Sequence, residues 1–409
     1  MNRSNYQHTS AKWQNYVVLF LMLYFTNFMS FRAYEAPQRM FIFPLVYLCL
    51  FLLLRNQNYL IGKPLASNVK LIILSFFLSC IPSMLVFGQG LYAALAGQME
   101  FLFPLLLYFV LHKWNVEEQT IYKYLIGFTI IFAFFEIFQQ FTYPTYWFGG
   151  RTEDEHSGLL EERMGFWRFY LFGIDYVLLV CMLIFGKILR KEGKQGKNYI
   201  YLICSAVAIY FFLARKDIYA TVSCIALGVL FSSGRSSIFQ KSFIAILLVV
   251  AYAFLSGSML ELNDQTSLEL GEGSEDFIRF VAAEHFMYEF SDSPWYYLFG
   301  AGVPGGDNAL YSTISGLIDN YRIYQDDCGF VGYFSRFGLF GIFAQILILY
   351  KIARNYTSID IELVLFAVLQ LELSFFDFWG NNSRNMAAWA IYLYLIDRSI
   401  ERNTILEEK

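Results

Sequence analysis

Long apolar runs recur from Tyr16 almost to the C-terminus, and a single polar segment, residues 258–325, interrupts them. A helix that crosses a bilayer needs roughly 20 mainly apolar residues, because lipid offers the backbone no hydrogen-bond partners. The chain supplies about a dozen such stretches, which excludes a soluble globular fold. Chemistry in the aqueous phase is then expected in the long polar segment and at the helix ends beside it.

Composition agrees: the 409 residues are 57% hydrophobic and only 16% charged, against about 25% charged in soluble proteins. The expected spans lie near 16–31, 40–54, 69–87, 91–111, 121–141, 166–186, 199–213, 217–233, 240–257, 328–350, 361–378 and 386–397. Several are short for a full crossing. The expectation is one domain, 1–409, an all-α polytopic membrane protein of about 12 transmembrane helices. A large external helical cap loop, 258–325, separates spans nine and ten. A net charge of -4 is uninformative as a total, and no nucleic-acid partner is expected.

Orientation follows from the short loops. Lys187, Arg190, Lys191, Lys194 and Lys197 cluster between spans six and seven, which puts that loop and both termini in the cytoplasm. The cap then faces outward, and Lys216 is the only lysine on the outer side. Asn2–Gln14 is polar, with no small-residue cleavage site after the first apolar run, so that run reads as an uncleaved anchor. The six cysteines are scattered without metal spacing and read as apolar fillers; no cofactor is expected.

Candidate residues follow from charges at membrane level. Arg215, with Lys216 and Asp217, sits between two apolar runs, where a cation pairs, snorkels or lines a cavity. Within the cap, "GSEDFIRFVAAEHFMYEF" has helical periodicity, and Arg279, His285 and Glu289 either face a cavity or belong to a solvated helix. "SPWYYLFGAGVPGGDN" reads as a tight turn; Trp295 and Tyr296 suit stacking on sugar rings or an interfacial belt. Asp326 and Asp327 precede span ten, either as paired carboxylates that supply a general base or as a helix N-cap. Gly329, Gly332, Gly338 and Gly341 allow close approach. Glu136, with Gln139 and Gln140 on nearly one face, is either a proton path or buried hydrogen bonding. Asn381-Asn382-Ser383 matches a glycosylation acceptor, a pattern frequent by chance. The outer face is rich in arginine: Arg163, Arg168, Arg215, Arg279, Arg322, Arg336 and Arg384 run against the positive-inside tendency. Arginine suits bidentate phosphate binding, so an anionic ligand at membrane level is the natural inference.

These residues resemble the Wzy-type O-antigen polymerases and related O-antigen ligases, best between about Arg163 and Gly341. "ERMGFWRFYLFGIDYVLL" is similar to the family's Arg-and-Gly stretch, through Arg163 and Gly165, and "LARKDIYATVSCIALGVL" to its Arg-led stretch, through Arg215. "RFVAAEHFMYEFSDSPWYYLFGAG" resembles the loop ending, with Arg279, Gly300 and Gly302 at the matching positions. Ligases carry a His-Asn-type pair nine residues before Gly-x-x-Gly. Here Gly338 and Gly341 supply the glycines, and Asp327 and Cys328 fall at the paired positions, so the missing His favours a polymerase.

The resemblance implies a metal-independent glycosyltransferase of GT-C type in a bacterial inner membrane, active on its periplasmic face. It would move a growing glycan from undecaprenyl pyrophosphate to the non-reducing end of the next lipid-linked unit. Arg215 and Arg279 would steady the leaving pyrophosphate, and Asp327 or Glu289 would take the acceptor proton. Arg163, Arg168, His285, Trp295, Tyr296, Arg322, Arg336 and Arg384 would bind substrate. Lipid and a chain-length regulator are the further partners implied. A ligase, or a flippase or other transporter lined by the same acids and arginines, is the alternative.

Overall fold

The computed structural model describes residues 11–26, 39–55, 57–143, 145, 147–148, 162–163, 165–169, 171–231, 278–306, 308–321, 323–375, 377–382 and 385–407, with 39–46, 162–163, 215, 231, 278 and 406–407 in backbone only. Its helices are α1 (Lys12–Phe25), α2 (Arg39–Arg55), α3 (Ala66–Leu85), α4 (Leu91–Lys113), α5 (Glu118–Thr142), α6 (Ile174–Leu189), α7 (Gln195–Phe211) and α8 (Arg215–Phe231). The cap segment adds α9 (Ile278–Glu284), α10 (Pro294–Phe299) and α11 (Ala309–Tyr321). Then come α12 (Gly329–Arg354), α13 (Ile361–Leu373) and α14 (Asn385–Glu407). The one ladder among the described residues pairs β1 (Glu162–Arg163) with β2 (Phe166–Trp167), antiparallel.

Eleven of the twelve expected spans coincide with helices; the ninth, 240–257, lies outside the described residues, as do positions 258–277 of the expected cap. Among the described residues, four segments are long and apolar enough to cross a membrane: Ala66–Leu85, Leu91–Lys113, Glu118–Thr142 and Gln325–Arg354. The 16 residues of α6 and the 17 of α7 and α8 reach only about 24–26 Å, against a hydrocarbon core of about 30 Å. Residues 166–173, expected in span six, are not helical: the left-handed Gly173 (φ 103°) starts α6 late.

Burial separates central helices from peripheral ones. Residues 176–186 of α6 and 386–396 of α14 are buried without interruption, as a helix apolar on every side must be. α5 instead turns Ile130, Ile131 and Phe134 outward.

At the end away from the cap, ion pairs join distant segments. Lys63 pairs with Glu401, Arg402 with Glu118 and Asp360, and Arg190 with Glu362. Asp397 of α14, fully buried, accepts the Leu65 N–H at 2.9 Å and the Tyr108 hydroxyl.

At the capped end α12 is broken rather than continuous. Gly338 has φ 64° and ψ -170°, a conformation open to glycine and strained for other residues. A break there frees carbonyls of the preceding turn. The cap supplies their donors: Ala301 N–H donates to Ser335 C=O at 2.7 Å and Gly302 N–H to Arg336 C=O at 2.9 Å. The chain then runs without regular structure through 301–305, with Gly302 against Ser79 and Ser83 of α3 and Gly305 against Ala93 and Gly97 of α4. A Cβ on Gly305 would sit 1.8 Å from the Ala93 carbonyl. Gln89 anchors this stretch, its Oε1 accepting from Gly305 N at 3.1 Å and Asn308 Nδ2 at 2.9 Å. The sequence "SPWYYLFGAGVPGG", expected as a tight turn, is thus the short helix α10 followed by an inserted irregular segment. Non-helical backbone is tolerated where protein surrounds it, and Gly300 to Val303 are buried.

Candidate active site at the capped end

Five chain segments bring charged groups together where the cap meets the bundle. α6 contributes Asp175 and α8 contributes Lys216 and Asp217, all in first turns. Acids in those positions gain from the helix dipole. The turn after α13 contributes Asp377, the segment after β2 contributes Arg168, and the 3-10 turn Gln325–Cys328 ahead of α12 contributes Asp326 and Asp327. Lys216 forms an ion pair with Asp377. Asp175 lies in the field of Asp377, Asp217 and Lys216, and Asp217 in that of Lys216, Asp377 and Arg168. Asp327 is exposed at the rim, with Arg279 of α9 as its leading electrostatic partner and Lys216 and Asp377 also in reach. The turn into α8 is strained: Leu213, buried, has φ 55°, a costly conformation for a bulky side chain and one found where structure is over-determined.

The two adjacent aspartates separate. Asp326 accepts from Arg336 Nη2 at 2.7 Å, whereas Asp327 lies in the field of Arg279. Arg336, expected to bind substrate, is 8% exposed and is spent inside the protein. Its Nη1 donates to the Asn381 backbone and side-chain oxygens, and its guanidinium lies 5.7 Å from the Phe101 ring centre. Asn381 in turn donates to the carbonyls of Gln325 (2.8 Å) and Asp326 (3.1 Å). Fully buried and committed on both sides, Asn381 is an internal cross-link, which excludes the glycosylation match.

Within the cap, α9 ends in a single π-turn, His285–Glu289, with Phe290 N–H donating to His285 C=O at 2.9 Å. His285 Nδ1 and Glu289 Oε2 lie 2.9 Å apart, and Glu289 faces solvent. They pair with one another; Asp327 draws its cation from Arg279 instead. Trp295 is 48% exposed and stacks on Phe299, its outer face open. Tyr296 is fully buried, its hydroxyl donating to Phe286 C=O, and burial pushes the phenol well above its ordinary range. It pins the cap from within rather than presenting a ring.

Arg163 ends β1 and Arg215 opens α8, both in backbone only; Arg322 and Arg384 lie outside the described residues. Sequence reasoning undervalued Lys216 and Asp377. The signal was present, since Lys216 stood as the one lysine on the outer side, but its partner lies 161 residues away. Among the described residues no group of His, Cys, Asp and Glu has the makings of a metal centre.

Chemically, the site sets an accessible carboxylate, Asp327, beside a guanidinium and an amine. Such an arrangement can accept a proton while cations hold an anionic group. No family model matches the chain, and no curated protein matches it.

Proposed function

We propose that the protein is a metal-independent membrane glycosyltransferase of the GT-C kind, a polymerase of undecaprenyl-pyrophosphate-linked oligosaccharide repeat units. The observation that carries this reading is Asp327 at the rim with Arg279 as its leading partner and Lys216 in reach. In the proposed reaction Asp327 accepts the proton of the acceptor hydroxyl at the non-reducing end of the incoming unit. The hydroxyl oxygen bonds to the anomeric carbon of the growing chain, and the bond to the lipid pyrophosphate breaks. Arg279 and Lys216 hold the charge that develops on the leaving oxygen, with Arg168 and the Arg215 position beside them. Trp295, with an open face on the cap, suits stacking on a sugar ring.

This reading carries with it about twelve spans, a bacterial inner-membrane location, cytoplasmic termini and a periplasmic cap. The lysine-rich turn 187–197 sits at the end away from the cap, which supports that orientation.

The test is direct. Purified protein in lipid nanodiscs is given one lipid-linked repeat unit, and the products are separated by size. A ladder of multiples supports the polymerase. A single addition to a different acceptor would make it a ligase, and movement of an unextended glycan across the bilayer would make it a transporter.

A further inference from the structure

Glu136 on α5 plays no part in the reaction above, yet it is fully buried and, among the described residues, neither carboxyl oxygen has a hydrogen-bond partner. It has company. Gln139, one turn on, gives its oxygen to Phe148 N–H at 2.8 Å, which leaves its buried Nε2 unpartnered. On α8, Asp217 Oδ2 and, one turn further along, Thr221 Oγ1 are also buried without partners. Arg168 links the two groups, since its charge reaches both Glu136 and Asp217.

The surroundings give this region walls. Gln140 grips the backbone of Trp167 from both sides, its oxygen accepting from N–H at 2.9 Å and its nitrogen donating to C=O at 2.6 Å. Tyr143 stacks on the Trp167 ring with centres 4.0 Å apart. The segment carrying Arg168 is thereby held over the end of α5 as a roof. Phe132, one turn below Glu136, meets Phe212 from the turn into α8 with centres 6.3 Å apart and forms a floor. Buried polar groups that find no protein partner are normally satisfied by water when the space is polar, and an isolated carboxylate in such a place is neutralised or hydrated. The charged group that reaches Glu136 is Arg168 from the roof; Asp217 on α8 is reached by that same Arg168, by Lys216 and by Asp377 from the turn after α13, and Asp175 on α6 by Asp377, Asp217 and Lys216.

We propose that Glu136, Gln139, Asp217 and Thr221 line an internal water-filled chamber, entered from the capped end beneath Arg168, in which Glu136 stores a proton that exchanges with bulk water. The inference stands apart from the glycosyl-transfer reading, because it follows from unpartnered groups whatever the protein acts on.

Difference infrared spectroscopy of the full chain against Glu136→Gln tests it. A protonated-carboxyl absorption lost in the variant, and shifting at once when the buffer is changed to D2O, supports the chamber. Absence of that absorption, or one that does not shift in D2O, overturns it. A second measurement does not depend on Glu136→Gln folding. In a cysteine-free background, Thr221→Cys, close to isosteric, reacts with a small charged thiol reagent if the chamber holds water. A folded Thr221→Cys protein that stays unlabelled overturns the proposal.

Discussion

Lys216, in the first turn of α8, forms an ion pair with Asp377, in the turn after α13. The pair ties two helices whose connection runs through the whole cap, and it sets an amine within reach of Asp327. Both side chains are partly exposed, 26% and 32%, so the pair adds on the order of 1 kcal/mol to stability. Its larger role is positional. Asp377→Asn and Lys216→Ala are each expected to lower the thermal midpoint slightly and polymer yield by roughly tenfold or more, the loss of about one transition-state contact. Unchanged product ladders from both variants would remove Lys216 from the reaction.

The two rim aspartates are expected to fail differently. Asp327→Asn keeps shape and removes basicity, so membrane levels and thermal stability should hold while polymer disappears. Asp326→Asn breaks a charge-assisted bond to buried Arg336 and should cost about 1–2 kcal/mol with polymer still made. Thermal unfolding in detergent, set beside product ladders, distinguishes these outcomes, and equal loss of polymer in both would contradict the assignment.

Arg336 and Arg279 supply a matched contrast. Arg336→Lys loses the fork that spans Asn381 and Asp326 and should destabilise by about 2 kcal/mol. Arg279→Lys should leave stability nearly unchanged and weaken polymerisation, because an amine cannot reproduce two-point phosphate contact. Stability curves that showed the reverse order would exchange the roles given to these arginines.

Gly338 is where the cap is attached. A Cβ there would lie 2.4 Å from the backbone of Leu298, at a positive φ. Gly338→Ala is expected to cost about 1–3 kcal/mol in backbone strain alone and to loosen α10 from α12. Limited proteolysis should then cut the cap faster than in the parent protein, while α3 to α6 stay protected. Resistance equal to the parent would show that the cap is held elsewhere.

Topology has its own check. Asp292→Cys in the cap and Lys194→Cys in the turn between α6 and α7 are both exposed positions at opposite ends. In cells with a permeabilised outer membrane, an impermeant thiol reagent should label the first and not the second. Reversed labelling would invert the orientation.

Apolar runs located the described helices of the bundle, though not α10, expected as a turn, because a segment that must satisfy its amides internally and meet apolar surroundings can only be one element. The same logic found the cap, the acids beside it and the glycines that mark its attachment. What the runs did not reveal is how a glycine acts: Gly338 reads as a point of close approach, and only packing against α10 makes it a break whose freed carbonyls bind the cap. Arginine was likewise ambiguous. Arg336 and Arg279 look alike as outer-face cations, and burial against Asn381 commits one to the structure while the charge of the other acts on Asp327. Local pattern determines which segments become helices; which of their charged groups meet is decided by the tertiary fold. Lys216 and Asp377 are strangers in sequence, and their contact depends on where α8 and α13 end in space.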